Sequence, residues 1–213
     1  MSKPRQTQAE RRQNTQDRIL DATIECLVQH GYANTTVARI SAYAGVSRGA
    51  PIHHFKNKAG IIDAAAKRLI RQTYQSLGQA ITEVAASEDR LHDLIFYSWR
   101  EVFAQPPYAA MRELLIASQR DSELATTLQS LWTTTYRTLG EAAHHYLTPT
   151  HPHADAHELM TLTQWLLRGM AEDLHLIADP MRFERHLRIW CQLLALQLRA
   201  RPDVREPPPK ALP

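Results

Sequence analysis

Apolar positions recur at helical spacing along almost the whole chain, and no persuasive run alternates with a period of two. From Ile19 the series Ala22, Thr23, Cys26, Leu27 and His30 follows i, i+3, i+4, i+7, i+8, i+11, and Gly31 supplies a stop. This predicts a first helix over 15–30. A short second helix begins after Thr35 or Thr36, whose hydroxyls suit an N-cap, carries Val37 and Ile40 on one face, and ends at Ala44-Gly45. Gly45 permits a left-handed turn, Val46 drops back toward the core, and Ser47 can cap a third helix that runs from Arg48 to His54 and breaks after Phe55 at Lys56-Asn57.

A longer helix follows Asn57, with Ile61, Ile62, Ala65, Leu69, Ile70, Leu77, Ile81 and Val84 facing inward, and links two domains. The next helix opens at Ser87, contains Leu91, Leu94, Ile95, Trp99 and Phe103, and is terminated by Pro106-Pro107. Helices over 108–119 and 122–146 come next. A His- and Pro-rich loop over 148–153 precedes two amphipathic helices, 154–177 and 181–199. The expected fold class is all-α: an N-terminal three-helix domain joined through a long helix to a C-terminal helical domain. The expected divisions are a flexible basic arm over 1–11, a first domain over 12–72, a second over 73–200 and a disordered Pro-rich tail over 201–213.

Composition narrows the class. Of 213 residues, 44% are hydrophobic and 22% charged, a globular balance, and 7 Gly with 12 Pro are too few for a turn-rich β domain. The first 18 residues are polar and basic, and nowhere do 18 uncharged apolar residues run together, so a cytoplasmic protein without a membrane partner is expected. Cys26 and Cys191 stand far apart, outside any C-x-x-C pattern. Charge is uneven: residues 1–71 carry 12 Lys and Arg against 5 Asp and Glu, a net of +7, whereas the remainder is net −4. The N-terminal end is suited to polyanions.

Two short helices joined by a tight Ala-Gly-Val turn make a helix-turn-helix, whose second helix presents side chains to the major groove of DNA. The stretch Gly31-Tyr32-Ala33-Asn34-Thr35-Thr36-Val37, then Ala44-Gly45-Val46-Ser47-Arg48-Gly49-Ala50-Pro51-Ile52-His53-His54-Phe55, then Lys58, resembles the DNA-binding domain of TetR-family transcriptional regulators over roughly residues 12–72. Thr35, Thr36 and Val37 stand at a helix N-terminus able to meet a phosphate. Arg48 suits the bidentate contact to guanine O6 and N7. Gly49 and Ala50 are small enough for close approach, and Ala50 can meet a thymine methyl. His53, His54 and Lys58 can donate to phosphates or bases, and Arg5, Arg11 and Arg12 can reach a minor groove from the arm. Relatives most often carry Leu at the position of Pro51 and an aromatic, usually Tyr, at that of Ile52, where it touches the phosphate backbone. Ile52 cannot donate that hydrogen bond, so an operator cannot be copied from a relative.

The resemblance further implies a small-molecule effector pocket among the middle helices and dimerisation through the last two. Phe96, Trp99, Phe103, Met111, Leu115, Trp132, Tyr136 and Trp165 offer apolar and aromatic lining, with Arg100 a polar group able to orient a ligand, which suits a lipophilic or aromatic effector. Leu159, Leu162, Leu166, Gly169 and Met170, then Phe183, Leu187, Trp190 and Leu194, form two wide apolar faces suited to a homodimer. A homodimer requires a near-palindromic double-stranded operator. The expected function is therefore a ligand-responsive repressor, with no enzymatic activity, cofactor or metal. The alternatives are an activator, a ligand-independent DNA-binding protein, or a metal-dependent enzyme using His144, His145, His151, His153 and His157, of which His153 and His157 share a face if their helix starts early.

Overall fold

The computed structural model of the chain describes residues 7–84, 87–204 and 206. Among the described residues the α-helices are α1 (Gln8–Asn34), α2 (Val37–Ala44), α3 (Ala50–Phe55), α4 (Lys58–Glu83), α5 (Arg90–Ser98), α6 (Pro106–Ser118), α7 (Ser122–Tyr146), α8 (Ala156–Glu172) and α9 (Pro180–Ala195). The all-α expectation holds. One small exception is an antiparallel ribbon, β1 (Leu147–Pro149) with β2 (Leu198–Ala200), in register Leu147↔Ala200 and Pro149↔Leu198. Pro149 forces Thr148 into an extended conformation, and residues 196–200 leave the expected last helix to pair with it. Leu147 and Leu198 are both buried there.

The chain divides into two compact units, one comprising the chain up to Ile70 with Pro106–Ser130, the other Arg71–Gln105 with Leu131 onward. Helix α6 and the start of α7 thus pack in the first unit, because α1 lies along α6. Helix α1 begins within the segment expected to be a flexible arm. Residues 1–6, Arg5 included, lie outside the described residues, but Thr7 begins α1 with a capping box in which its hydroxyl accepts from Glu10 N–H at 3.2 Å and the Glu10 carboxylate accepts from Thr7 N–H at 2.7 Å. Arg11 and Arg12 are therefore helical. The helix breaks at Gly31, whose φ is +72°.

In the first unit Ile19, Ala22, Cys26, Ile40, Ala44 and Ile61 form the core, with Val37, Val46 and Phe55 packed against it. Each of the three isoleucines contributes about 1.5–3 kcal/mol on full burial, enough to set the short helices against one another.

In the second unit α5 gives way to a π-helical turn, Trp99–Phe103, where a continuous α-helix was expected; the wider turn lets Trp99, Val102 and Phe103 all be buried. Trp99 packs on Phe183 with ring centroids 5.2 Å apart. The start of the expected tail is also tied down, since the Arg90 guanidinium donates to the carbonyls of Arg201 and Val204 at 2.7 and 3.0 Å. Residues 205 and 207–213 lie outside the described residues. No helix among those described is long and apolar enough to cross a membrane.

Candidate nucleic-acid interface and ligand cavity

The turn between α2 and α3 is built by local chemistry. Thr36 caps α2, accepting from Arg39 N–H at 3.2 Å, and Gly45 takes φ +59° and ψ +39°, ending the helix in the left-handed region. Arg18 of α1 donates from Nη2 to the carbonyls of Ala44 at 2.7 Å and Gly45 at 2.9 Å, satisfying acceptors that the end of α2 leaves open. Arg18 was not legible as a site residue, because its partners lie 26 and 27 positions away. Helix α3 has Gly49 as N-cap without a side-chain hydrogen bond, so Ser47 is not the cap expected of it. Instead the Ser47 carbonyl accepts from Ala50 N–H at 3.0 Å in a tight turn that leaves Arg48 and Gly49 ahead of the helix. Pro51 sits in the first turn, where its missing N–H costs little, and its ring is buried.

Exposure along α3 follows the helical period. Gly49, Ile52, His53 and Lys56 are exposed, at i, i+3, i+4 and i+7, while Pro51 is buried and His54 and Phe55 are half-buried behind them. Arg48 is exposed beside this stripe and Ala50 half-exposed. Lys56, with φ +71°, belongs to the stripe although its sequence position reads only as a helix break. Tyr43 of α2 is a further exposed aromatic, its hydroxyl 2.9 Å from His30 Nε2.

Four expected contacts fall elsewhere. Thr35 is fully buried and its hydroxyl donates to the Gly31 carbonyl at 2.8 Å, closing α1. The Val37 side chain packs against the core. His54 turns inward against Phe55, its Nδ1 buried without a hydrogen-bond partner, and burial, with His53 and Arg12 nearby, holds its pKa below the usual imidazole value. Lys58 lies with its ammonium 5.0 Å from the centre of the Tyr32 ring. Tyr32 in turn donates its hydroxyl to Asp121 at 2.7 Å and its N–H to Glu113 at 2.9 Å. Lys58 is thus part of the bracing of the first unit.

The second unit contains an apolar cavity of about 80 Å³, room for several water-sized groups. Its walls include Tyr74 and Leu77 of α4, Leu94, Ile95 and Ser98 of α5, Leu139, Ala142 and Tyr146 of α7, and Met160, Gln164 and Leu167 of α8. The Ser98, Thr138 and Thr163 hydroxyls at its edge already donate to carbonyls of their own helices. Among the described residues no Asp, Glu, Lys or Arg lines it. Of the expected pocket residues only Phe103 does. Phe96 stacks on His92, Trp99 packs tilted against Phe183, Arg100 pairs with Glu184 at 2.8 Å, and Trp132 lies under the Arg168 guanidinium at 4.1 Å. Tyr136 donates to Glu158 at 2.8 Å, Trp165 is exposed, and Met111 and Leu115 belong to the first unit. Helical periodicity marks which positions turn inward but not which inward faces leave a gap.

A similar shift applies on α8 and α9. Met170, Phe183, Leu187 and Leu194 are buried within the chain, and Trp190 is half-buried, donating to the Thr163 hydroxyl at 3.0 Å. Among the described residues of these two helices the large apolar side chains left exposed are Leu162 and Trp165 on α8 and Met181, Ile189 and Leu193 on α9, followed by Leu196; Gly169 is exposed on α8 with nothing near where a Cβ would stand. Leu159 and Leu166 are half-buried.

The histidines meet in pairs, His144 with His157 and His151 with His153, with ring centroids 6.3 and 6.4 Å apart. Helix α8 begins at Ala156, so His153 stays in the loop and shares no helical face with His157. His157 packs on Gly140 and on the Tyr136 ring, with centroids 4.0 Å apart. Among the described residues no group of three or more His, Cys, Asp or Glu is arranged to hold a metal ion. Both cysteines are buried thiols, and burial pushes Cys191 up to about 12.

Residues 19–65 match the family model of bacterial regulatory proteins, tetR family. An uncharacterised HTH-type transcriptional regulator of Mycobacterium bovis is 31% identical over 125 residues, 59% of this chain and 64% of that protein. The HTH-type transcriptional regulator CymR of Pseudomonas putida is 30% identical over 129 residues, 61% of this chain and 63% of that protein. The chain thus spans less than two thirds of the length of these curated relatives. Among solved structures, a transcriptional regulator from Rhodococcus superposes with a TM-score of 0.67 at 19% identity, covering 85% of this chain and 97% of that one. A transcriptional regulator from Saccharomonospora viridis, solved in complex with choline, gives 0.65 at 17% identity, covering 84% and 96%. These likenesses extend the fold well beyond the N-terminal domain.

Proposed function

We propose that the chain is a member of the TetR family of bacterial regulatory proteins and acts as a ligand-responsive repressor that binds a near-palindromic DNA operator as a homodimer. The observation that carries this reading is the exposed stripe Gly49-Ile52-His53-Lys56, with Arg48 beside it, on a short helix whose opposite side is anchored in the core. The net charge of +7 over residues 1–71 supports it, since neutralised phosphates supply most of the sequence-independent affinity for DNA. In this reading Arg48 reads guanine, His53 and Lys56 meet bases or phosphates, and Thr36 sets the N-terminus of α2 against the backbone. Thr35, Val37, His54 and Lys58 position that face.

The exposed row of Leu162, Trp165, Ile189, Leu193 and Leu196 is the proposed dimer surface. The cavity of the second unit is the proposed effector site, and its uncharged walls suit a neutral lipophilic or aromatic molecule. The chain passes between the two units within α4, ahead of α6 and again within α7. An effector that binds one arrangement of the dimer better than the other shifts the population away from the DNA-binding form, by no more than that difference in affinity.

The test is selection of DNA from a random-sequence pool with the full chain, followed by footprinting at several salt concentrations. A protected near-palindrome with half-sites about one helical turn apart, or somewhat more, is the expected result. Weak binding to all sequences that vanishes at modest salt would remove the sequence-specific reading, and absence of binding at low salt would remove DNA binding altogether. Release of the selected DNA by lipophilic compounds then tests the effector role.

A further inference from the structure

We propose that Ile52, beside the notch left by Gly49, reads the C5-methyl group of a thymine in each operator half-site. This rests on the DNA-binding reading above and adds a specificity-determining residue to it. Two positions of the α3 stripe are left free by the fold. A Cβ added at Gly49 would meet nothing within 4 Å, and its φ of −85° suits any residue, so nothing within the chain requires glycine there. Ile52, one turn on, keeps 39% of its surface exposed. The other exposed stripe positions, His53 and Lys56, carry polar side chains.

A lone exposed aliphatic residue is ordinary on a protein surface. Its place here is what matters. Relatives carry at this position an aromatic that touches the phosphate backbone; Ile52 has no donor or acceptor to make that contact, and turned to the major groove it can distinguish bases only by apolar contact, for which the thymine methyl is the apolar group displayed. As a β-branched residue in a helix it holds essentially one χ1 rotamer, giving a fixed surface for a methyl to meet. The missing side chain at Gly49, at i−3 on the same face, removes bulk that would hold the α3 backbone away from the base edges. Pro51, buried between them, fixes the start of the helix and hence the direction of the stripe. Ile52 and Gly49 thus form a paired step and recess.

The experiment replaces each thymine of the selected operator, one at a time, by deoxyuridine, which removes the methyl and leaves base pairing intact. Affinities are measured for the full chain and for Ile52→Ala and Ile52→Val, with thermal melting to verify that the variants fold. At one thymine per half-site the unaltered protein is expected to lose about fourfold in affinity, the worth of one buried methyl-sized group. Ile52→Ala is expected to bind more weakly and to be indifferent to that methyl, and Ile52→Val to keep part of the sensitivity. A wild-type protein insensitive to every substitution, or an Ile52→Ala variant with the same sensitivity as wild type, would overturn the proposal while leaving sequence-specific binding intact. A chain that selects no sequence at all would overturn both.

Discussion

The Arg18 guanidinium holds the Ala44 and Gly45 carbonyls at 2.7 and 2.9 Å, so a side chain of the first helix closes the end of the second. Hydrogen bonds from a charged donor contribute more than neutral ones, and removing the donor leaves two acceptors at a partly buried helix end. Arg18→Met is expected to lower stability by about 1–2 kcal/mol in urea unfolding. Arg18→Lys should recover less than half, since the ammonium is more strongly hydrated and its stem is too short to set the nitrogen where Nη2 stands. An unchanged midpoint for Arg18→Met would mean that water replaces the guanidinium without loss.

The Tyr32–Asp121 hydrogen bond makes the first unit sensitive at both ends of the pH scale. Burial, followed by the Asp121 carboxylate, pushes Tyr32 up to about 12, whereas the Leu124 N–H and then the Tyr32 hydroxyl draw Asp121 below the usual carboxylate value. The raised tyrosine contributes stability that is present below about pH 10, its unfolded value, and lost as pH rises toward 12. The depressed carboxylate contributes stability present above about pH 4 and lost as pH falls through its lower folded value. Tyr32→Phe is expected to cost about 1 kcal/mol at neutral pH and to flatten the alkaline loss, read by denaturant unfolding between pH 3 and 11.

Two glycines near α3 should respond in opposite ways. Gly49→Ala is expected to leave stability within about 0.5 kcal/mol, because its Cβ enters open space, yet to weaken DNA binding. At Gly60 a Cβ would fall on the Phe55 carbonyl oxygen, so Gly60→Ala is expected to lower the melting temperature through a forced backbone shift costing about 1–3 kcal/mol. Thermal melts on both variants, with a DNA-binding titration on Gly49→Ala, separate the two effects.

For α9, exposure decides which leucine matters to which property. Leu193→Glu is expected to convert the proposed dimer to monomers in sedimentation equilibrium with the protomer fold intact, because that residue is 51% exposed. Leu187→Ala, at a fully buried position, is expected to cost about 2–5 kcal/mol of stability. A dimer that survives Leu193→Glu would remove the proposed interface.

The cavity can be narrowed without touching the first unit. Ala142→Leu adds bulk at its half-buried wall and is expected to leave operator affinity unchanged while reducing release by any effector at least tenfold, measured as effector concentration for half release. An unaltered response would place the effector elsewhere.

Most helix boundaries were legible because capping and periodicity are local. Gly31 kinks α1 and Gly45 ends α2, each at a positive φ, Thr36 starts α2, and α7 occupies the expected span Ser122–Tyr146. The early start of α1 could have been read from Thr7 and Glu10, a capping-box spacing ahead of the apolar series. The π-helical turn at Trp99 and the ribbon at Leu147 had no comparable signal, since each is set by what the segment packs or pairs against.

By itself the sequence determined the class: helical periods, a glycine turn between two short helices, and basic charge gathered at one end are properties of neighbouring residues. Only the tertiary structure decided which side chains are free to act. Thr35, Val37, His54 and Lys58 carry suitable chemistry but are committed inside the first unit, and Phe183, Leu187 and Leu194 are apolar at the right spacing but buried within their own chain. Periodicity tells that a face turns inward, whereas the partner on the other side, be it another helix, an empty cavity, DNA or a second copy, depends on residues far away in the chain.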